Sequence, residues 1–198
     1  VYFYNVGRLL GEKRLAEYAR KLGFGVPVGF ELPGAVGLVP DSEWKKSERG
    51  GVWYPGETFS FAIGQSYLLV SPFQILRMVS AVATDGRVFQ PKLIRDCLDG
   101  TCPGQNRYRT DIETKFRPEA FKTLRKGMLQ AVVSDRGTAQ LARVDFAKLA
   151  AKTGTAQAPP GEPHAWFGGF FPYDDPKIAL VVFVERGKSG GFAAAQLA

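Results

Sequence analysis

Hydrophobic and polar positions along the chain switch between two periods. Residues 8–22 place Leu9, Leu10, Leu15, Tyr18, Ala19 and Leu22 at helical spacing, and Gly23 offers a C-terminal stop. From 23 to 58 the pattern gives way to glycine, proline and interleaved aromatics, which predicts a long irregular stretch, either a functional surface loop or a poorly ordered one. Order returns at Ser71-Pro72, an N-cap followed by proline at the first helical position. Ile75, Leu76, Val79 and Val82 then line one face until Asp85-Gly86, so this helix is expected to bury itself against a sheet. Residues 87–94 and 107–112 read as short strands, and Pro118 opens a helix with the stripe Phe121, Leu124, Met128, Leu129 and Val132. Ser134-Asp-Arg-Gly-Thr-Ala139 reads as a loop leading to a short helix.

The last third changes period. Lys148-Leu-Ala-Ala-Lys-Thr-Gly-Thr-Ala-Gln157, closed by Pro159-Pro160, reads as a strand. Two further strand-like runs follow, His164-Ala-Trp-Phe-Gly-Gly-Phe-Phe171 and Lys177-Ile-Ala-Leu-Val-Val-Phe-Val-Glu185, with Pro172-Tyr-Asp-Asp-Pro176 as the turn between them. Together they predict a three-stranded antiparallel meander. The helix-loop-strand order therefore predicts a mixed α+β fold, an antiparallel sheet flanked by helices.

Composition narrows the class. A chain of 198 residues with 45% hydrophobic and 23% charged residues is ordinary globular material, which excludes disorder and collagen-like repeats. Twenty-six basic against 19 acidic residues give a net charge of +7. The basic residues are scattered without an aromatic-basic cluster, so a nucleic-acid partner is not expected; anionic lipid or anionic wall polymer fits the charge as simply. No apolar run approaches the length of a membrane span.

The chemistry concentrates on the first strand of the meander. Gly154 has no side chain to fend off another backbone, while Lys152, Thr153 and Thr155 supply one cation and two hydroxyls. An extended peptide could add to the edge of such a strand, with main-chain hydrogen bonds for affinity and the hydroxyls and lysine for a carboxylate. A Lys-Thr-Gly tripeptide alone matches by accident and more often opens a surface turn. Its setting is what raises it above chance.

Around it, in order and at fitting spacing, stand Val1-Tyr-Phe-Tyr4, Arg14-Leu-Ala-Glu-Tyr-Ala19, Leu22-Gly-Phe-Gly25, Glu31-Leu-Pro-Gly34 and Gly37-Leu-Val-Pro40. Pro55-Gly-Glu-Thr58, Ala62-Ile-Gly-Gln65, Ser71-Pro-Phe-Gln74, Gly137-Thr-Ala139, Ala151-Lys-Thr-Gly-Thr-Ala-Gln157, His164-Ala-Trp-Phe167 and Gly190-Gly191 continue the series. With these residues the chain resembles, nearly end to end, the class B penicillin-binding proteins, the peptidoglycan D,D-transpeptidases of the cell-elongation type. The resemblance implies the penicillin-binding transpeptidase and serine β-lactamase-like fold, with residues 1–198 as a carboxy-terminal portion of that domain, incomplete at the N-terminus. It implies cross-linking of stem peptides through an acyl-serine, covalent binding of β-lactams, cell-wall elongation proteins as membrane partners, and no cofactor or metal. It further implies a protein at the extracytoplasmic, periplasmic face of the inner membrane, held by an N-terminal anchor absent from this sequence.

The same resemblance assigns roles. Lys152 adds positive potential and supports the hydrogen-bond network of a neighbouring motif; Thr153 and Thr155 hold the substrate or penicillin carboxylate; Gly154 lets the substrate strand approach; the Thr155 N–H is half of the oxyanion hole. Of the family's three motifs, Ser-x-x-Lys, Ser-x-Asn and Lys-Thr-Gly, only the third is convincing here. Ser42-Glu-Trp-Lys45 matches the first in letters, but in the family the nucleophile precedes the second motif and this segment follows it, so Ser42 is rejected. Ser134-Asp135-Arg136 comes one residue short of the second motif and lies on the wrong side of the Pro118 helix. In the family a segment similar to Val1-Tyr-Phe-Tyr4 comes immediately after the second motif, so nucleophile and base are expected upstream, and this chain alone is expected to be inactive. Phe192 to Ala198 is expected to open a final helix. A serine β-lactamase relative and a non-catalytic penicillin-sensing or scaffold module are the alternatives; the 23–58 stretch and Ala62-Ile-Gly-Gln65 favour the transpeptidase.

Other candidates read blandly. His164 has no cysteine or carboxylate cluster at ligand spacing, so a locally bonded strand-start residue is expected rather than a metal ligand. Asp174-Asp175 reads as a turn, because adjacent side chains point to different sides. Cys97 and Cys102 lie in a turn-rich loop and are either a disulfide across a hairpin tip or two unpaired thiols.

Overall fold

The computed structural model describes residues 1–29, 34–93, 112–113 and 116–198. The chain forms two compact units, Val1–Val28 with Gly34–Ser71 and Gly29–Pro33 with Pro72–Ala198.

The first unit is helical. Helix α1, Tyr2–Lys21, starts six residues before the predicted stripe and is interrupted at Gly11, whose φ of 76° and ψ of 161° are not helical. Among its residues only Gly7 and Ala16 are buried, so the apolar stripe at 9–22 is largely not core. Gly7 is where the helix meets helix α3, Pro55–Phe61: a Cβ there would lie 2.3 Å from the Ala62 Cβ. Gly23 takes φ 87° just past the helix end, as its position predicts.

The stretch 23–58, expected to be irregular, contains helix α2, Ser42–Arg49, and the start of α3. Asp41 caps α2 by accepting a 2.8 Å hydrogen bond from the Trp44 N–H, and Gly50 at φ 63° terminates it. One ion pair then organises the aromatics. Lys45 Nζ donates to Glu57 Oε1, with side chains only 8% and 18% exposed. Glu57 also accepts from the Tyr54 N–H at 2.7 Å and the Tyr67 hydroxyl at 3.1 Å, while the Lys45 ammonium lies 4.8 Å from the Tyr54 ring centroid. Such a pair is tolerated in a desolvated place because the carboxylate accepts two further hydrogen bonds and the ammonium lies over the Tyr54 and Tyr67 rings.

The second unit carries the sheet. Strands β3 (Ala150–Ala156), β4 (His164–Phe171) and β5 (Ile178–Val184) form the predicted antiparallel meander in the order β3-β4-β5. Successive residues face opposite sides. On one side Ala150, Phe170, Ala179 and Val181 pack with Ile75, Val79 and Val82 of helix α4, Pro72–Ala83, and with Phe121 and Met128 of helix α5, Pro118–Val133. On the other, Ala151, Ala165, Phe167 and Val182 pack with Ala142 of a 3-10 turn, Gln140–Ala142, and with Ala194 and Ala195 around a terminal helical turn, Gly190–Ala194. Phe167 and Phe170 are completely buried, one on each side, each contributing roughly 1.5–3 kcal/mol of apolar burial. Helix α4 lies close: a Cβ at Gly168 would sit 2.9 Å from Val79 Cγ2.

Two expectations are adjusted. Leu124, placed on the buried stripe of α5, is 51% exposed. The strands predicted at 87–94 and 107–112 appear among the described residues as a short antiparallel pair, β1 (Arg87–Val88) and β2 (Ile112–Glu113). Cys97 and Cys102 lie outside the described residues.

Candidate active site

Strand β3 pairs with β4 along one edge, and among the described residues no strand pairs with its other edge. The open edge presents backbone N–H and C=O groups to any extended chain laid beside it. Lys152, Thr153, Gly154 and Thr155 lie in register with Gly168, Phe167, Trp166 and Ala165.

Alternation divides these residues between the two sides of the sheet. Lys152 is on the α4 side, opposite Gly168 over which Val79 and Ile75 lie. Its ammonium donates to the Thr153 carbonyl, and partial burial pushes its pKa down. The side chain keeps enough exposed surface to be reached from outside. Thr153 and Thr155 are on the other side, with the terminal turn. Thr155 is exposed, and its Oγ1 accepts from the Gly190 N–H at 3.3 Å. Thr153 retains 8% of its surface, and its hydroxyl shares a 2.9 Å hydrogen bond with the Thr138 hydroxyl.

Glycine is required where backbones meet. A Cβ at Gly190 would lie 2.1 Å from the Gly154 carbonyl oxygen and 2.5 Å from that of Trp166, so only glycine lets the terminal turn cross β3 and β4. At Gly191 a Cβ would lie 2.8 Å from the Thr138 carbonyl oxygen. These contacts gather Thr138, Thr153 and Thr155 around one end of the strand. The sequence singles out Gly137-Thr-Ala139 as a motif but does not tie its threonine to the strand; fifteen positions separate Thr138 from Thr153 and no spacing rule links them.

The remaining candidates are structural. Lys45, the lysine of the Ser42 letter match, is committed to Glu57, whose hydrogen bond holds its pKa up, the opposite of what a general base needs. His164 Nδ1 accepts from the Arg186 N–H at 3.0 Å and its ring packs 5.3 Å from that of Phe183. Asp174 and Asp175 make separate ion pairs, with Lys148 at 3.0 Å and Lys177 at 2.7 Å. Among the described residues no group of three or more His, Cys, Asp or Glu could hold a metal ion. None of the described helices is long and apolar enough to cross a membrane.

The peptidoglycan D,D-transpeptidase MrdA of Acinetobacter baumannii is 34% identical over 100% of this chain and 31% of its own length. The protein of the same name from Haemophilus influenzae is 30% identical over 100% of this chain and 33% of its own. The chain thus spans about a third of the length of the curated relatives it matches. Among solved structures, Pseudomonas aeruginosa PBP2 in complex with WCK 5153 superposes with a TM-score of 0.88 at 38% identity, over 99% of this chain and 44% of that one. Helicobacter pylori PBP2, solved in complex with MreC, gives a TM-score of 0.85 at 33% identity, over 99% of this chain and 36% of that one. The family model for the penicillin binding protein transpeptidase domain matches residues 1–198, and the chain belongs to that family.

Proposed function

We propose that the whole protein is a serine-type peptidoglycan D,D-transpeptidase of the elongation type, and that this chain supplies its substrate-binding strand. The observation that carries the proposal is the open edge of β3 with Lys152, Thr153, Gly154 and Thr155 along it, within a chain of the transpeptidase family. A serine supplied from outside residues 1–198 attacks the carbonyl between the last two D-alanines of a stem peptide. The serine proton passes to the departing amine, and terminal D-alanine leaves. An amine of a neighbouring stem then attacks the acyl ester, forming the cross-link and returning the proton to the serine. A β-lactam enters the first step and stalls as the acyl-enzyme.

The strand's part is positional and electrostatic. The Thr155 N–H serves as one oxyanion donor, effective because it is fixed before charge develops on the carbonyl oxygen. The Thr155 and Thr153 hydroxyls bind the carboxylate of the substrate or penicillin. Gly154 admits the ligand backbone. Lys152, its pKa lowered by desolvation, gives positive potential and releases a proton more readily than an exposed lysine, which suits a hydrogen-bond network that must pass protons. Partners of the whole protein are proposed to be stem peptides, β-lactams and elongation proteins at the extracytoplasmic face of the membrane, in line with the Helicobacter pylori PBP2 complex with MreC. The test is to label the full-length protein with a fluorescent penicillin and map the adduct by mass spectrometry. The expected adduct is on a serine outside residues 1–198. An adduct on Ser42 or any other serine of this chain, or none at all, refutes the assignment.

A further inference from the structure

Thr138 lies in the loop between α5 and the 3-10 turn, is exposed, and meets the strand at a single polar contact, its Oγ1 2.9 Å from Thr153 Oγ1. Thr153 is nearly buried, so its hydroxyl has few other partners available. Its neighbour Thr155 already shows the arrangement a carboxylate needs: the Gly190 N–H fills a lone pair of Oγ1, leaving the hydroxyl proton free to be given away. Thr153 stands differently: its hydroxyl lies 2.9 Å from that of Thr138, and in such a pair one hydroxyl donates and the other accepts.

A carboxylate accepts hydrogen bonds and cannot donate them. Once Thr153 gives its proton to a ligand carboxylate, the contact with Thr138 survives only if Thr138 is the donor and Thr153 the acceptor. A threonine at 138 can take the donor's part by hydroxyl rotation alone, with no movement of heavy atoms. The Thr138 loop is itself held close, since the terminal turn passes the Thr138 carbonyl at a distance that admits only glycine at 191.

We propose that Thr138 is a positioning residue of the carboxylate site: it acts through Thr153, holding that hydroxyl in place and donating the shared hydrogen bond so that the Thr153 proton faces the bound carboxylate. The inference rests on the proposed role of Thr153, and the test separates the two. Acylation by a fluorescent penicillin is measured on the full-length protein as a second-order rate constant for wild type, Thr153→Val, Thr138→Val, Thr138→Ser and the double valine variant.

Losing one hydrogen bond to a neutral partner predicts a rate about two- to tenfold lower for Thr138→Val. Thr138→Ser, which keeps the hydroxyl and drops the methyl, restores the rate. In the double variant the second substitution adds nothing to the effect of Thr153→Val, because the residue through which Thr138 acts is gone. The inference is overturned if Thr138→Val acylates at the wild-type rate while Thr153→Val is slow. It is equally overturned if Thr138→Ser is as slow as valine, or if the two valine effects multiply. A wild-type rate for Thr153→Val removes the carboxylate role of Thr153, and the inference with it.

Discussion

Replacing Gly190 by alanine probes the packing that supports the site. The new Cβ would lie 2.1 Å from the Gly154 carbonyl oxygen and 2.5 Å from the Trp166 carbonyl oxygen, and both obstacles are backbone of paired strands that cannot rotate away. Relief to an ordinary contact moves the terminal turn about 1 Å off the sheet. That displacement takes the 3.3 Å Gly190 N–H to Thr155 contact out of hydrogen-bond range and loosens the buried Ala194 and Ala195. Overpacking of this kind costs about 1–3 kcal/mol, and the lost hydrogen bond about 1 kcal/mol more, so a destabilisation of roughly 2–4 kcal/mol is expected. The assay is urea unfolding of the full-length protein, following the transition that abolishes penicillin acylation, together with the acylation rate in native buffer. The rate should fall severalfold, because Thr155 loses the donor that orients its hydroxyl. An unshifted midpoint with an unchanged rate would refute the packing of the turn against β3.

Three further outcomes are expected. Thr155→Val removes a charge-assisted hydrogen bond to the ligand and also the acceptor of the Gly190 N–H, so it should slow acylation by about ten- to a hundredfold and lower stability by about 1 kcal/mol, read as a lower urea midpoint. Burial alone would raise the Glu57 pKa, but hydrogen bonds from Lys45, the Tyr54 N–H and the Tyr67 hydroxyl outweigh it and hold it below the ordinary glutamate value. A folded pKa below the unfolded one gives stability that is present above the unfolded pKa and lost as pH falls through the folded one. Urea titrations from pH 7 to pH 3 should therefore show Glu57→Gln destabilised at neutral pH and the gap to wild type narrowing in acid; a gap that is constant with pH would contradict it. Gly127 is exposed within α5, and an added Cβ there would meet open space; alanine should be accepted with a gain of up to about 1 kcal/mol, read as a higher urea midpoint.

The meander is readable because each strand pattern is bounded by turn residues, prolines at 159–160 and 172–176 above all, and because strand faces alternate strictly. That same alternation already separates Lys152 from the two threonines, a division the motif letters do not display. Helix α2 is hidden because Ser42–Arg49 is nearly all polar and gives no apolar stripe; its readable signals are local, Asp41 at the N-cap and Gly50 past the end. The opposite failure occurs in α1, where apolar residues at helical spacing suggest core although Leu9 is 75% exposed. Spacing reports which side chains share a face, and says nothing about what covers that face. The contact between Thr138 and Thr153 escapes for a related reason: it forms only where the loop after α5 folds back onto the strand, beside the place where Gly190 and Gly191 pass from the far end of the chain.

The most direct measurement of the central claim is a crystal structure of the full-length protein acylated by a penicillin. The account predicts the ligand laid along the open edge of β3, its carboxylate within hydrogen-bond distance of the Thr153 and Thr155 hydroxyls and its acyl carbonyl oxygen on the Thr155 N–H. A ligand whose carboxylate is held elsewhere, with β3 untouched, would contradict it.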